Sequence, residues 1–236
     1  MRYGWLPLFV ITLTSSIGLS AGLSASENTF RLEEATIAEI DKAVAAGALS
    51  SEKLVELYLA RIAAYDRAGP RLNSIIFVNP KAKTEAAALD KERADKGPRG
   101  PLHGIPVLLK DNIDVANMPT TNGSAVMKDA IPPEDGSISK ALRAAGAVIL
   151  GKAALGEFAG GSYNSVRGQT LNPYNVKRQT GGSSSGSAAA ISANFTVLAV
   201  GTDTSTSVRG PLLILASLAC ARRPGSYRAR ALRRKI

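Results

Sequence analysis

Apolar positions recur along this chain with two different periods. Behind Thr36, whose neighbour three residues on is Glu39, the residues Ile40, Ala43 and Val44 fall three and four apart. That is a capping-box start followed by one apolar helical face, and Gly47 supplies the stop. From about Ser51 to Tyr65 the side chains of Leu54, Tyr58, Ile62 and Tyr65 return on one face of a second helix. Ile75 to Val78 is a short, wholly apolar run and predicts a buried strand. Lys81 to Lys96 is rich in charge and alanine, predicts an exposed helix, and ends at Gly97 and Pro98.

Beyond this point strands and helices alternate. Ile105–Leu109, Ala147–Leu150 and Thr196–Val200 read as strands, with helices at Ser137–Ala145 and Ser187–Ala193 between them. Strands apolar on both faces and separated by helices predict a largely parallel α/β sheet covered on both sides. The chain shows no internal repeat. Its one low-complexity segment is the Gly/Ser run at 181–187.

Composition narrows the function classes. With 45% hydrophobic and 20% charged residues among 236, a packed core is feasible. The single cysteine, Cys220, has no internal disulfide partner, and with His103 as the only histidine no metal site and no cofactor are expected. The net charge of +10 is concentrated at the end. Arg222, Arg223, Arg228, Arg230, Arg233, Arg234 and Lys235 carry seven of those charges, leaving +3 (ten minus seven) on residues 1–211. A basic tail on a nearly neutral body does not predict nucleic-acid binding. Residues 1–25 read as a secretory signal: Arg2 opens it, Leu6–Leu13 is apolar, and small residues follow at Ser20–Ser26. The expected organisation is therefore a signal at 1–25, a catalytic body at 26–211 and an aberrant basic tail at 212–236. The body would be secreted or periplasmic, or membrane-anchored if the signal stays uncleaved.

Three segments compete as sites of chemistry. Gly146–Lys152 fits the spacing of a phosphate loop, but Ala153 stands where a metal-binding hydroxyl is needed, and the intervening residues are strand-like. Gly182–Gly186 fits a nucleophile elbow centred on Ser184, but His103 precedes it and no histidine follows, which excludes the usual histidine base. The remaining set is Lys110 at the end of GIPVLLKDN, Ser183 in GGSSSGSAAA and Ser207 in GTDTSTSVRGP. A lysine closing a buried strand must be paired or neutral, and ligand sites gather at strand ends in open parallel sheets.

On PLHGIPVLLKDN, AGAVILGKA, GQTLNP, GGSSSGSAAA and GTDTSTSVRGP, in that order, the chain resembles the amidase signature family from about Phe30 to Pro211. Ser183 and Ser207 have the family's separation of 24 positions. The resemblance implies an α/β/α sandwich around a mixed, largely parallel sheet. It implies a triad in which Lys110 is the base, Ser183 relays the proton and Ser207 forms an acyl-enzyme, with a cis Gly182–Ser183 peptide bond. It implies an oxyanion hole from the backbone of Thr204, Ser205 and Thr206. The activity it implies is hydrolysis of a small-molecule amide to an acid and ammonia or an amine, without a membrane partner. The alternatives are an inactive fragment of such an enzyme, or an amidotransferase A-type subunit that generates ammonia.

The loop Glu157–Gly161 aligns with the border of the acyl pocket, while His103, Asp203 and Arg209 are expected to be structural. Ser185, Ser205 and Thr206 stand where the family favours glycine, and a positive φ at Thr206 would strain its β-branched side chain. The likeness fades after about residue 211, which leads us to expect an incomplete fold there, through truncation or a change of reading frame.

Overall fold

A computed structural model describes residues 30–215; the expected signal and the arginine-rich part of the expected tail lie outside them. Helix α1 (Ile37–Ala45) starts on the anticipated capping box, with Thr36 and Glu39 bonded reciprocally. Helix α2 (Ser51–Arg61) is capped by Ser50 and passes into a π-helical turn at Ile62–Arg67. Asp66 in that turn is fully buried and accepts from both the backbone N–H and the hydroxyl of Ser74 at 2.6 Å. This bond fixes the chain's entry into strand β1 (Ile75–Val78). Helix α3 (Ala82–Lys96) ends at Gly97, whose φ of 77° closes the turn with little strain.

The core sheet adds β2 (Pro106–Lys110), β3 (Val148–Ala153) and β6 (Leu198–Val200) in the order β1-β3-β2-β6. β1 runs antiparallel to β3, while β2 pairs in parallel with both β3 and β6. Between these strands lie α4 (Ser137–Ala144) and α5 (Ser185–Ser192), and a small hairpin of β4 (Tyr163–Asn164) and β5 (Gly168–Gln169). Helix α6 (Arg209–Ile214) closes the described chain and crosses the boundary at which the basic tail was expected to begin.

Both sheet faces are covered, and the side-chain alternation of a strand shows how. Leu108, Val148 and Leu150 pack into one cluster with Leu54 and Tyr58 of α2, Ala86 of α3 and Ala190 of α5. Val107, Leu109 and Ile149 point the other way, onto Ile113, Val115, Met118 and Leu142. The α/β class and mixed, largely parallel sheet are thus as expected. The strand ends of β2 and β6, where Lys110 and Thr202 sit, open on the same side as the N-terminus of α5.

Candidate active site

Lys110 is the last residue of β2 and is wholly buried. Its amine lies 2.7 Å from Ser183 Oγ, 2.9 Å from Thr202 Oγ1 and 3.3 Å from the Thr202 carbonyl oxygen. Burial pushes this amine down to about 8, against the pull of the Asp203 carboxylate. A substantial fraction of Lys110 is therefore neutral near pH 8, which a base requires.

Ser183 is buried and follows a cis peptide bond from Gly182. Its carbonyl accepts from Gly156 N–H at 3.2 Å. A methyl group on Gly182 would collide with the Gly161 carbonyl, so this contact admits only glycine. The small-residue loop 156–161 thus packs directly against the serine-bearing turn. The next N–H, that of Ser184, donates to the carbonyl of Ser207 at 3.0 Å. That bond ties the second serine loop to the N-terminus of α5.

Ser207 is half-buried, and among the described residues its hydroxyl makes no hydrogen bond. The structure therefore brings Lys110 and Ser183 into contact and holds Ser207 beside them through its backbone, without a formed bond between the two hydroxyls. Bonds of this kind are often long in unliganded enzymes and tighten when substrate is bound. Thr204, Ser205 and Thr206 are exposed, and their N–H groups have no protein acceptor among the described residues. Neither Ser205 nor Thr206 has a positive φ, so the strain foreseen at Thr206 does not arise.

Asp203 accepts from Arg209 Nε at 2.8 Å and more weakly from Arg209 N–H at 3.4 Å, so this pair clasps the 203–209 loop as anticipated. His103 is structural too: it is buried, its Nδ1 accepts from Arg99 N–H at 3.2 Å, and its Nε2 lies 2.8 Å from the Leu89 carbonyl.

The rejected phosphate-loop reading also has a physical answer. Lys152 is fully buried within β3, 3.0 Å from an oxygen of the equally buried Asp111. It donates as well to Pro119 O at 2.8 Å and Thr120 Oγ1 at 2.9 Å, so no ammonium is left to meet a phosphate. Ser184, the centre of the elbow-like motif, is 2% exposed and sits at the N-cap of α5, with its hydroxyl 3.3 Å from Thr202 O.

Sequence reasoning missed Thr202 and Asn112. The Thr202 hydroxyl meets the Lys110 amine and also the Asn112 side-chain amide at 3.0 Å. Their signal lay in register: Leu109 of β2 stands opposite Val200 of β6, which brings the segments just beyond both strands, with Asn112 and Thr202, to the same end of the sheet.

The family model described as Amidase matches residues 53–212. The chain belongs to the amidase family. Among its relatives, the A-type subunit of the glutamyl-tRNA(Gln) amidotransferase of Acidothermus cellulolyticus is 42% identical over 182 residues, covering 76% of this chain and 35% of the relative. The peptide amidase of Stenotrophomonas maltophilia superposes with a TM-score of 0.77 at 45% identity, over 79% of this chain and 40% of that one. An amidase family protein from Bacillus anthracis gives 0.75 at 43% identity, over 77% and 37%.

This amidase-family chain thus spans about a third to two fifths of the length of these relatives. Clefts of about 690 and 230 Å³ on its surface touch none of Lys110, Ser183 and Ser207. No helix among the described residues is long and apolar enough to cross a membrane.

Proposed function

We propose that the chain carries the catalytic half of a serine amidase that hydrolyses a carboxylic amide through an acyl-enzyme on Ser207. The observation that supports this most is the 2.7 Å contact between a buried, readily neutralised Lys110 and Ser183. Serine is a poor nucleophile until a base takes its proton, and a desolvated lysine serves that role in place of histidine. In this reading Ser183 passes its proton to Lys110 and takes the Ser207 proton as Ser207 Oγ attacks the amide carbonyl. The N–H groups of Thr204, Ser205 and Thr206 face the developing oxyanion. The proton returns through Ser183 to the departing amine, and water then releases the acid by the same relay. Each oxyanion donor would be worth roughly 10²–10³ in rate.

The test is ammonia release from primary amides. The purified full chain is incubated with a small aliphatic amide and with a C-terminally amidated peptide, and ammonia is measured enzymatically. Turnover that disappears in Ser207→Ala supports the reading, while turnover unchanged by that substitution overturns it.

A second reading is favoured by the 42% identity to an amidotransferase A-type subunit. In that case ammonia would be delivered to a partner protein rather than released. Co-purification with a partner that raises turnover would support it, and full activity of the isolated chain would oppose it. Export, for which residues 1–25 form the basis, is proposed alongside the amidase reading; mass spectrometry of protein recovered from the culture medium or periplasm tests it by the loss of those residues.

A further inference from the structure

The surroundings of the Lys110 amine contain a stoichiometry that the triad alone does not use. A neutral amine has two N–H bonds to give and one lone pair to receive a proton. Three oxygens lie within reach: Ser183 Oγ at 2.7 Å, Thr202 Oγ1 at 2.9 Å and Thr202 O at 3.3 Å. Two of these belong to one residue.

We infer that Thr202 is the positioning residue of this site: its hydroxyl and carbonyl accept both N–H bonds of the neutral Lys110 amine, so that the lone pair is left aimed at Ser183. The inference rests on Lys110 acting as the base.

Asn112 makes the arrangement one-sided. Its amide nitrogen lies 3.0 Å from Thr202 Oγ1, while its Oδ1 is buried without a partner. Turned over, the amide would accept the Thr202 proton on Oδ1 and satisfy that oxygen. In that orientation Asn112 takes the threonine proton and keeps the hydroxyl oxygen an acceptor toward Lys110. Without Asn112 the hydroxyl could rotate and donate to the lysine lone pair, competing with Ser183. The backbone half of the clamp is fixed by β6, whose Val200, two residues before Thr202, pairs with Leu109, the residue before Lys110. Ser184 Oγ lies 3.3 Å from the same Thr202 carbonyl and holds it from the α5 side.

The charged groups on the surrounding elements are few. Asp111, next to Lys110, is paired with Lys152 of β3, and Asp203 beyond β6 is paired with Arg209 of α6. Helix α5 presents only hydroxyls and small apolar groups.

The sign of the effect follows from the donor count. Protonated lysine has three N–H bonds, so an acceptor removed from Thr202 destabilises the ammonium more than the amine. Thr202→Val should therefore lower the titration midpoint of Lys110 by about one pH unit. It should also slow reaction of Ser207 with a fluorophosphonate by roughly 10–100-fold at the high-pH plateau, since the lone pair is no longer directed. Asn112→Ala should slow labelling with little movement of the midpoint. Thr202→Ser retains the hydroxyl and should restore both quantities.

The experiment follows the Nζ resonance of ¹⁵N-labelled lysine against pH in the full chain, for wild type and the three variants. Labelling rates are measured in parallel. A lowered midpoint in Thr202→Val that Thr202→Ser reverses supports the inference. An unchanged midpoint in Thr202→Val overturns it, as does a labelling loss equal in the Val and Ser variants. Because the NMR titration needs no activity, it decides the inference even where wild type fails to label; failure to label would count against the amidase reading alone.

Discussion

Among the described residues two lysines are wholly buried, and their partners separate a chemical role from a structural one. Lys110 meets only neutral oxygens, and burial holds it down to about 8. Lys152 faces a carboxylate as well as two neutral acceptors. Burial lowers Lys152 too, but there the charge of Asp111 and its hydrogen bond oppose the shift. The first lysine can cycle between amine and ammonium at modest cost, whereas the second is tied to a buried carboxylate. Two outcomes follow. The rate of Ser207 labelling by a fluorophosphonate should climb with pH and level off above about 8, the limb reporting loss of the Lys110 proton. Lys152→Met, which strands a buried Asp111 charge, should destabilise the fold by about 3–5 kcal/mol in urea titrations. Lys152→Met combined with Asp111→Leu should recover part of that loss. Lys110, Ser183 and Ser207 were legible from motif and spacing, because a lysine at a buried strand end demands an explanation. Thr202 and Asn112 were not, since an ordinary threonine and asparagine gain meaning only once β2 and β6 are in register.

At the scale of elements, glycines govern how closely loop, helix and sheet approach. A methyl group on Gly186, in the first turn of α5, would collide with the Ser74 carbonyl and the backbone of Ala154. The same group on Gly160 would meet only the Glu157 carbonyl, at 3.3 Å. Gly186→Ala should cost about 1–3 kcal/mol or more by overpacking, and Gly160→Ala less than about 1 kcal/mol. Comparing the two by thermal denaturation checks that α5 is seated as described.

Elements with a strong period were readable in advance: the capping box announced α1, and the apolar runs announced β1, β2 and β3. The β4–β5 hairpin escaped because two-residue strands leave no alternation to detect. β3 runs on to Ala153, beyond its apolar stretch, because Lys152 finds Asp111 and remains inside. The π-helical turn at Ile62–Arg67 escaped for a similar reason, being set by Asp66 reaching Ser74 rather than by any local pattern.

The whole molecule carries the energetic signature of its site. A buried lysine with a lowered pKa binds fewer protons folded than unfolded, between about 8 and its ordinary value of 10.5. Stability must then rise with pH across that interval, the burial penalty being fully present below it. Tyr58, pushed up to about 12 by burial, works in the opposite direction above 10, so the gain should be clearest from pH 8 to 10. Lys110→Met should flatten that slope and raise the thermal midpoint at pH 7 by at least roughly 2–4 °C, the shift expected from about 1 kcal/mol in a domain of this size. The fold class was legible because the alternating pattern leaves little choice of architecture. The relation of this chain to relatives about twice its length was legible only as a fading of likeness near residue 211.

Which hydroxyl is activated, and by what, decides the mechanism. The most direct measurement is to treat the full chain with a fluorophosphonate at pH 8.5 or above and locate the adduct by peptide mass spectrometry, in wild type and in Lys110→Ala. A single adduct on Ser207, formed at least roughly 10²-fold more slowly in the variant, is the predicted result. An adduct on Ser184 or another serine, or a rate on Ser207 indifferent to Lys110, would contradict it.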